Sequence, residues 1–261
     1  MKRQPGDAGL FYAPLATAIP HMKRLTACLV LLALSLSTRA EEAPQVFLDN
    51  DELNYVGSIS RAGATELSTL YARLDRKPTI LAIRSRGGDT AAGMALGTLV
   101  HAHGLTVKVM EYCLSSCANY VFTAAPYKIV SNFAMIGYHG GLSSDTFALD
   151  PAQEARFAAM PAAEQAAARK RYDAEMRRDL AGRAQEERRF FDMIKVEQRI
   201  TTLGQAPQYQ QRFRADEKLV AWTFSLDGFA ALGVRNIRVV NPPWQPKSVK
   251  SDYGLLQIDV P

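Results

Sequence analysis

Three stretches between Leu81 and Gly141 decide how this chain is read: Ser85-Arg86-Gly87-Gly88-Asp89, Cys113-Leu114-Ser115-Ser116-Cys117-Ala118-Asn119 and Ile136-Gly137-Tyr138-His139-Gly140-Gly141. Each closes an apolar run, so a glycine-rich turn, a serine pair and a histidine fall in order at successive strand ends. A serine hydroxyl is a poor nucleophile until an imidazole accepts its proton, and the oxyanion that forms then needs fixed N–H donors. Turn, serine and histidine, in that order, are the parts list of a serine hydrolase.

Working outward, the flanking segments alternate between strand and helix. Residues 65–74 carry Leu67, Leu70, Tyr71 and Leu74 at helical spacing, and Lys77-Pro78 ends that helix. Residues 79–84 read as a buried strand, and 90–103 as a helix with Ala92, Ala95, Leu96, Leu99 and Val100 on one face and Gly104 at its end. A strand over 106–112, a short helix over 116–125 and strands over 127–130 and 134–138 follow. That rhythm predicts parallel strands joined by crossover helices. Upstream, 45–59 alternates enough for one or two strands.

Residues 150–214 differ in character, being rich in Ala, Glu, Arg and Gln. Met176, Leu180, Phe191 and Ile194 form a broken stripe on one long helix, which suits a lever or an oligomer contact, or equally a solvated charged helix. Residues 219–240 read as strand, short helix and strand, and the remainder as a proline-bearing tail.

Composition sets the bounds. The 261 residues at 48% hydrophobic suffice for one large domain with a substantial core. The formal charge of +5 misleads, because Lys2, Arg3, Lys23, Arg24 and Arg39 against Asp7 place +4 of it in residues 1–40. The rest carries +1, so no nucleic acid or other polyanion partner is indicated. Lys23 and Arg24 precede an apolar run over 25–36, and Thr38-Arg39-Ala40 sets small residues before Glu41. This predicts a secretory signal cleaved near Ala40, with Met22 as an alternative start. The run is shorter than the ~20 apolar residues of a spanning helix, so no stable membrane span is expected after cleavage. A secreted or periplasmic chain keeps two cysteines, Cys113 and Cys117. They form either a disulfide around the serines or two small buried thiols; without a nearby histidine pair they do not make a zinc site.

Gly57-Ser58-Ile59, Ser85-Arg-Gly-Gly-Asp, Gly93, Ser116-Cys-Ala-Asn, His139-Gly-Gly and Phe224-Ser-Leu-Asp-Gly-Phe-Ala-Ala-Leu-Gly-Val, in this order, resemble the proteolytic subunit of Clp protease and its secreted relatives. The likeness covers roughly residues 45–141 and 219–240. It implies an α/β, Clp/crotonase-like repeated β-β-α superhelix over 41–261, with 150–214 as a handle-like helical insertion that meshes subunits of a homo-oligomer.

The resemblance also implies site roles. Ser116, preceding Cys-Ala-Asn, matches the nucleophile, with Ser115 as the alternative; a helix N-cap is the bland role for either. His139 matches the general base, whereas His101 and His103 lie at a helix end. The oxyanion donors fall on Gly87 or Gly88 and Cys117. The family's aspartate aligns with Ala221, a departure that leaves Asp216, Glu217 or no carboxylate at all to orient the imidazole. The expected function is an extracytoplasmic serine peptidase on polypeptide substrates, without cofactor or metal. The alternative is an inert relative that binds polypeptides or serves as an assembly subunit. Coenzyme A chemistry of the crotonase type is a weaker third.

Overall fold

The computed structural model describes residues 43–144, 151–247 and 253–260. The expected signal region lies outside them. β1 (Gln45–Asp49) and β2 (Glu52–Val56) make an antiparallel hairpin. Its two turn residues, Asn50 and Asp51, adopt φ of 48° and 60°, a left-handed conformation that Asn and Asp tolerate better than most residues. α1 (Arg61–Arg73) starts where Ser60 Oγ accepts the Gly63 N–H at 3.1 Å. It stops where Lys77 Nζ donates to the carbonyls of Tyr71 and Ala72, both at 2.9 Å, satisfying two of the acceptors every helix end leaves open.

β3 (Ile80–Arg84) leads through the glycine turn into α2 (Thr90–Ala102), whose first turn is capped by Asp89 accepting the Ala92 N–H at 2.7 Å. The buried face of α2 runs through Ala92, Gly93, Leu96, Gly97 and Val100, whereas Ala95 is exposed. Gly97 belongs to that face because a Cβ there would stand 2.5 Å from the Tyr120 carbonyl. Leu96, 1% exposed, fixes α2 in the core, and its replacement by Ala would cost about 2–5 kcal/mol.

The single strand expected over 106–112 is two. β4 (Thr106–Val109) and β5 (Tyr112–Leu114) are separated at Met110-Glu111, because β4 pairs with β3 in one sheet and β5 with β7 (Met135–Gly137) in another. Between β5 and β7 lie a helix whose middle, Cys117–Phe122, is π-helical, and β6 (Lys128–Ser131). π-Turns concentrate at functional sites. After the insertion come β8 (Leu219–Thr223), a short helix at Leu226–Ala231 and β9 (Ile237–Val240). The expected tail instead returns as β10 (Gly254–Gln257), parallel to β8.

The main sheet has the order β1-β2-β3-β4-β6-β9 and is parallel from β2 onward. A second row of pairings steps alongside it: Ile59 with Gly88, Ser85 with Cys113, β5 with β7, and Tyr138 with Trp222. Successive turns add a strand to the main sheet, a short step to the second row and a helix, which is the repeated β-β-α arrangement of an α/β fold. Burial alternates along β2, β3 and β4, so Leu53, Leu81 and Val107, each 0% exposed, face one core.

Within 150–214 the structure has α3 (Pro151–Ala158), α4 (Ala162–Ile194) and α5 (Pro207–Ala215). The stripe read from the sequence is covered by the chain itself. Leu180, Phe191 and Ile194 are buried and Met176 is half-buried, and the adjacent Phe190 meets Tyr120 edge to face at 5.5 Å. Exposure of that stripe therefore gives no reason for assembly. Among the described residues no helix is long and apolar enough to cross a membrane.

Candidate active site

β5 ends at Leu114, and the chain must then reverse direction to enter the π-helical segment. Ser115 makes that reversal with φ of 56°, a left-handed conformation that costs a non-glycine residue about 1–2 kcal/mol. Its backbone is held on both sides: its N–H donates to the Gly137 carbonyl at 2.9 Å, and its carbonyl accepts the Asn119 N–H at 2.8 Å. A disulfide between Cys113 and Cys117, with a Cα–Cα separation of 5.2 Å, brackets the turn. Such a sharp, strained strand-to-helix turn is how α/β hydrolases push a serine hydroxyl out of the backbone.

The two serines differ in setting. Ser116 is 2% exposed and donates its hydroxyl to the Gly88 carbonyl at 2.7 Å. Its Cβ lies toward α2, 3.2 Å from where a Cβ on Gly93 would stand. Ser115 is half-buried on the cleft, and among the described residues its hydroxyl has no hydrogen-bond partner.

Gly87 and Gly88 carry φ of 95° and 146°, which glycine alone adopts without strain. Gly87 presses against the serine turn so closely that a Cβ would stand 2.5 Å from Ser115 Cβ. Its N–H is taken by Ser85 Oγ at 3.0 Å. The N–H groups of Gly88 and Ser116 have no acceptor among the described residues. Cys117, the expected second donor, is fully buried and follows Ser116 into the helix.

His139 follows β7 and is exposed. Partial desolvation lowers its pKa from the ordinary imidazole value, against a smaller opposing pull from its own backbone. The ring is therefore neutral at neutral pH, as a proton acceptor must be. The turn after it is tightly held. Asn119 Nδ2 donates to the Gly140 carbonyl at 2.8 Å, and the N–H of Gly141 donates to Ser144 Oγ at 2.9 Å.

The cleft that gathers Gly88, Ser115, Ser116, Asn119 and His139 has a volume of about 430 Å³. One wall was not foreseen, for Leu180 and Arg183 of α4 line it together with Leu142. Behind that wall Glu187, 0% exposed, accepts four hydrogen bonds: from Tyr120 Oη at 2.7 Å, the N–H groups of Leu142 and Ser143 at 3.1 Å each, and Gln198 Nε2 at 2.8 Å. A helix that reads as a charged insertion thus fastens the loop after the histidine. A pattern of Leu180, Arg183 and Glu187, at i, i+3 and i+7, is the signal for it, since these positions share one helix face.

The carboxylates considered for the triad do not join the cleft. Ala221 is buried in β8, and Asp216 is exposed at the end of α5, accepting the Lys218 N–H at 3.0 Å. Glu217 is likewise exposed. Among the described residues no hydrogen bond links either serine to His139, and no other residue's side chain hydrogen-bonds the ring.

No protein-family model matches the chain, and no curated protein matches it. Solved structures that superpose on part of it include enoyl-CoA hydratases from Thermoplasma volcanium (10% identity, TM-score 0.29, 35% of this chain and 50% of that one) and Shewanella pealeana (8%, 0.27, 36% and 48%). Another, from Mycobacterium avium subsp. paratuberculosis, has 13% identity and a TM-score of 0.28 over 67% of this chain and 92% of that one. The chain spans about half the length of the first two. The α/β fold of this chain is shown by its own strand order.

Proposed function

We propose that this cleft hydrolyses peptide bonds by serine chemistry in an extracytoplasmic protein, with Ser115 as nucleophile and His139 as general base. One observation carries the choice of serine: Ser115 stands at a left-handed turn with an uncommitted hydroxyl, whereas the Ser116 hydroxyl is spent on Gly88. In the reaction Ser115 Oγ bonds to the scissile carbonyl carbon and its proton passes to His139. The oxyanion meets the N–H groups of Gly88 and Ser116. Collapse breaks the C–N bond as His139 returns the proton to the leaving amine, and water repeats the sequence on the acyl enzyme.

A second reading, an inert polypeptide-binding relative, draws on the unoriented imidazole. Reaction with a fluorophosphonate probe separates the two. Labelling of the wild type, abolished by Ser115→Ala and retained in Ser116→Ala, is the expected result. The reverse pattern returns the nucleophile to Ser116, and an unlabelled wild type leaves the binding reading.

A further inference from the structure

The charge lining the cleft is one-sided. Among the described residues that line it, no Asp or Glu appears, and Arg183 is the permanently charged group. The nearby acids are committed elsewhere. Asp89 turns its carboxylate to the Ala92 N–H, and Glu187 gives its two oxygens to four donors behind the Leu142 loop.

A guanidinium has five N–H donors in a rigid fork. Arg183 Nη2 gives one to Thr90 Oγ1 at 2.7 Å, which fixes the direction of the fork. Nη1 stands 3.9 Å from Asp179, too far for a hydrogen bond, and that carboxylate is 71% exposed, so the pair is weak. Donors therefore remain for an anion in the cleft, with the apolar side chains of Leu142 and Leu180 beside them.

Resting on the hydrolase reading above, we infer that the cleft selects its peptide by a carboxylate, which Arg183 holds beside the bond that Ser115 attacks. A planar carboxylate matches the fork with two parallel hydrogen bonds, whereas a neutral amide offers one acceptor. The carboxylate comes either from the C-terminus of the peptide or from an Asp or Glu side chain. Arg183 is then a specificity-determining residue.

The test uses three fluorescein-labelled pools of neutral hexapeptides: one with free C-termini, one amidated, and one amidated with Glu placed at each position in turn. Binding is followed by fluorescence anisotropy to protein carrying Ser115→Ala and Ser116→Ala, which prevents turnover. One carboxylate pool should bind about tenfold tighter than the neutral amides, as a charge-assisted pair allows, and which pool does so identifies the source. Arg183→Gln should bring the ratio to about one, and Arg183→Lys should keep part of it. Equal binding of the three pools, no binding, or a preference that survives Arg183→Gln overturns the inference. Fluorophosphonate labelling of the wild type is scored separately. Labelling without carboxylate preference removes the inference alone; preference without labelling removes the hydrolase reading and leaves a carboxylate-binding cleft.

Discussion

Glu187 accepts the Tyr120 hydroxyl at 2.7 Å, both side chains fully buried, and this contact joins the helix that follows the serines to the helix that walls the cleft. Burial and the adjacent carboxylate together push the Tyr120 pKa far above its ordinary value, so the phenol remains a donor at any working pH. The same carboxylate holds the turn after His139, so one buried group ties together the helix after the serines, that turn and the α4 wall.

Glu187→Ala strands the donors of Tyr120, Leu142, Ser143 and Gln198, and loss of buried hydrogen bonds on this scale should cost about 3 kcal/mol. Urea unfolding checks the stability. Hydrogen exchange should show the Leu142 and Ser143 amides opening faster than in the wild type; unchanged exchange at those two sites would remove the pinning role.

The Cys113–Cys117 disulfide closes a very short loop, so its entropic contribution is only about 2 kcal/mol. It also constrains the Ser115 turn, which lies between the two cysteines. With both cysteines changed to Ala, the probe-labelling rate should fall about tenfold, because loss of constraint on a strained turn, about 1–2 kcal/mol, is a factor near ten. An unaltered rate with a lowered urea midpoint would confine the disulfide to a structural role.

His139 titrates below the usual imidazole value because it is partly stripped of water. On the proposed reading its neutral form is the base, so the labelling rate should rise with pH through an inflection below about 6.5. His139→Gln should erase that inflection. An inflection at or above 6.5 in the wild type would contradict the assignment.

Lys128 is 3% exposed, donates to the Arg235 carbonyl at 3.1 Å, and has its pKa brought down to about 8 by burial. Between about pH 8 and 10.5 the unfolded chain then binds more protons than the folded one, so the lysine's penalty fades as pH rises. Below that window the penalty is fully present. The stability of the wild type relative to Lys128→Met should therefore gain about 3 kcal/mol between pH 7 and 10.5. Urea titrations at several pH values check it, and a flat difference refutes it.

The strands and helices around the glycine turn were legible because local chemistry and tertiary position agree there. β3 is a short apolar run, and Asp89 caps α2 one residue after Gly88. The break at Met110-Glu111 was not legible, since the change of sheet after β4 leaves the hydrophobic run nearly continuous. Composition also hid β10, whose pairing partner β8 lies far upstream. At the site, Ser115, Ser116, His139 and both glycines were visible as motif letters, but their hydrogen-bond commitments were not. Arg183 and Glu187 escaped notice because a polar residue on a charged helix looks solvated until the surface it packs against is known.

The late position of α4 in the chain has a consequence for biosynthesis. Ser115 and His139 emerge during synthesis well before Leu180, Arg183 and Glu187, so a growing chain holds the serine and the histidine without the wall that frames them. Contacts between distant stretches of chain are slow to form, because loop closure must precede them. On the proposed reading, selection of a substrate by the cleft begins only once α4 has been made and has packed against the turn after His139.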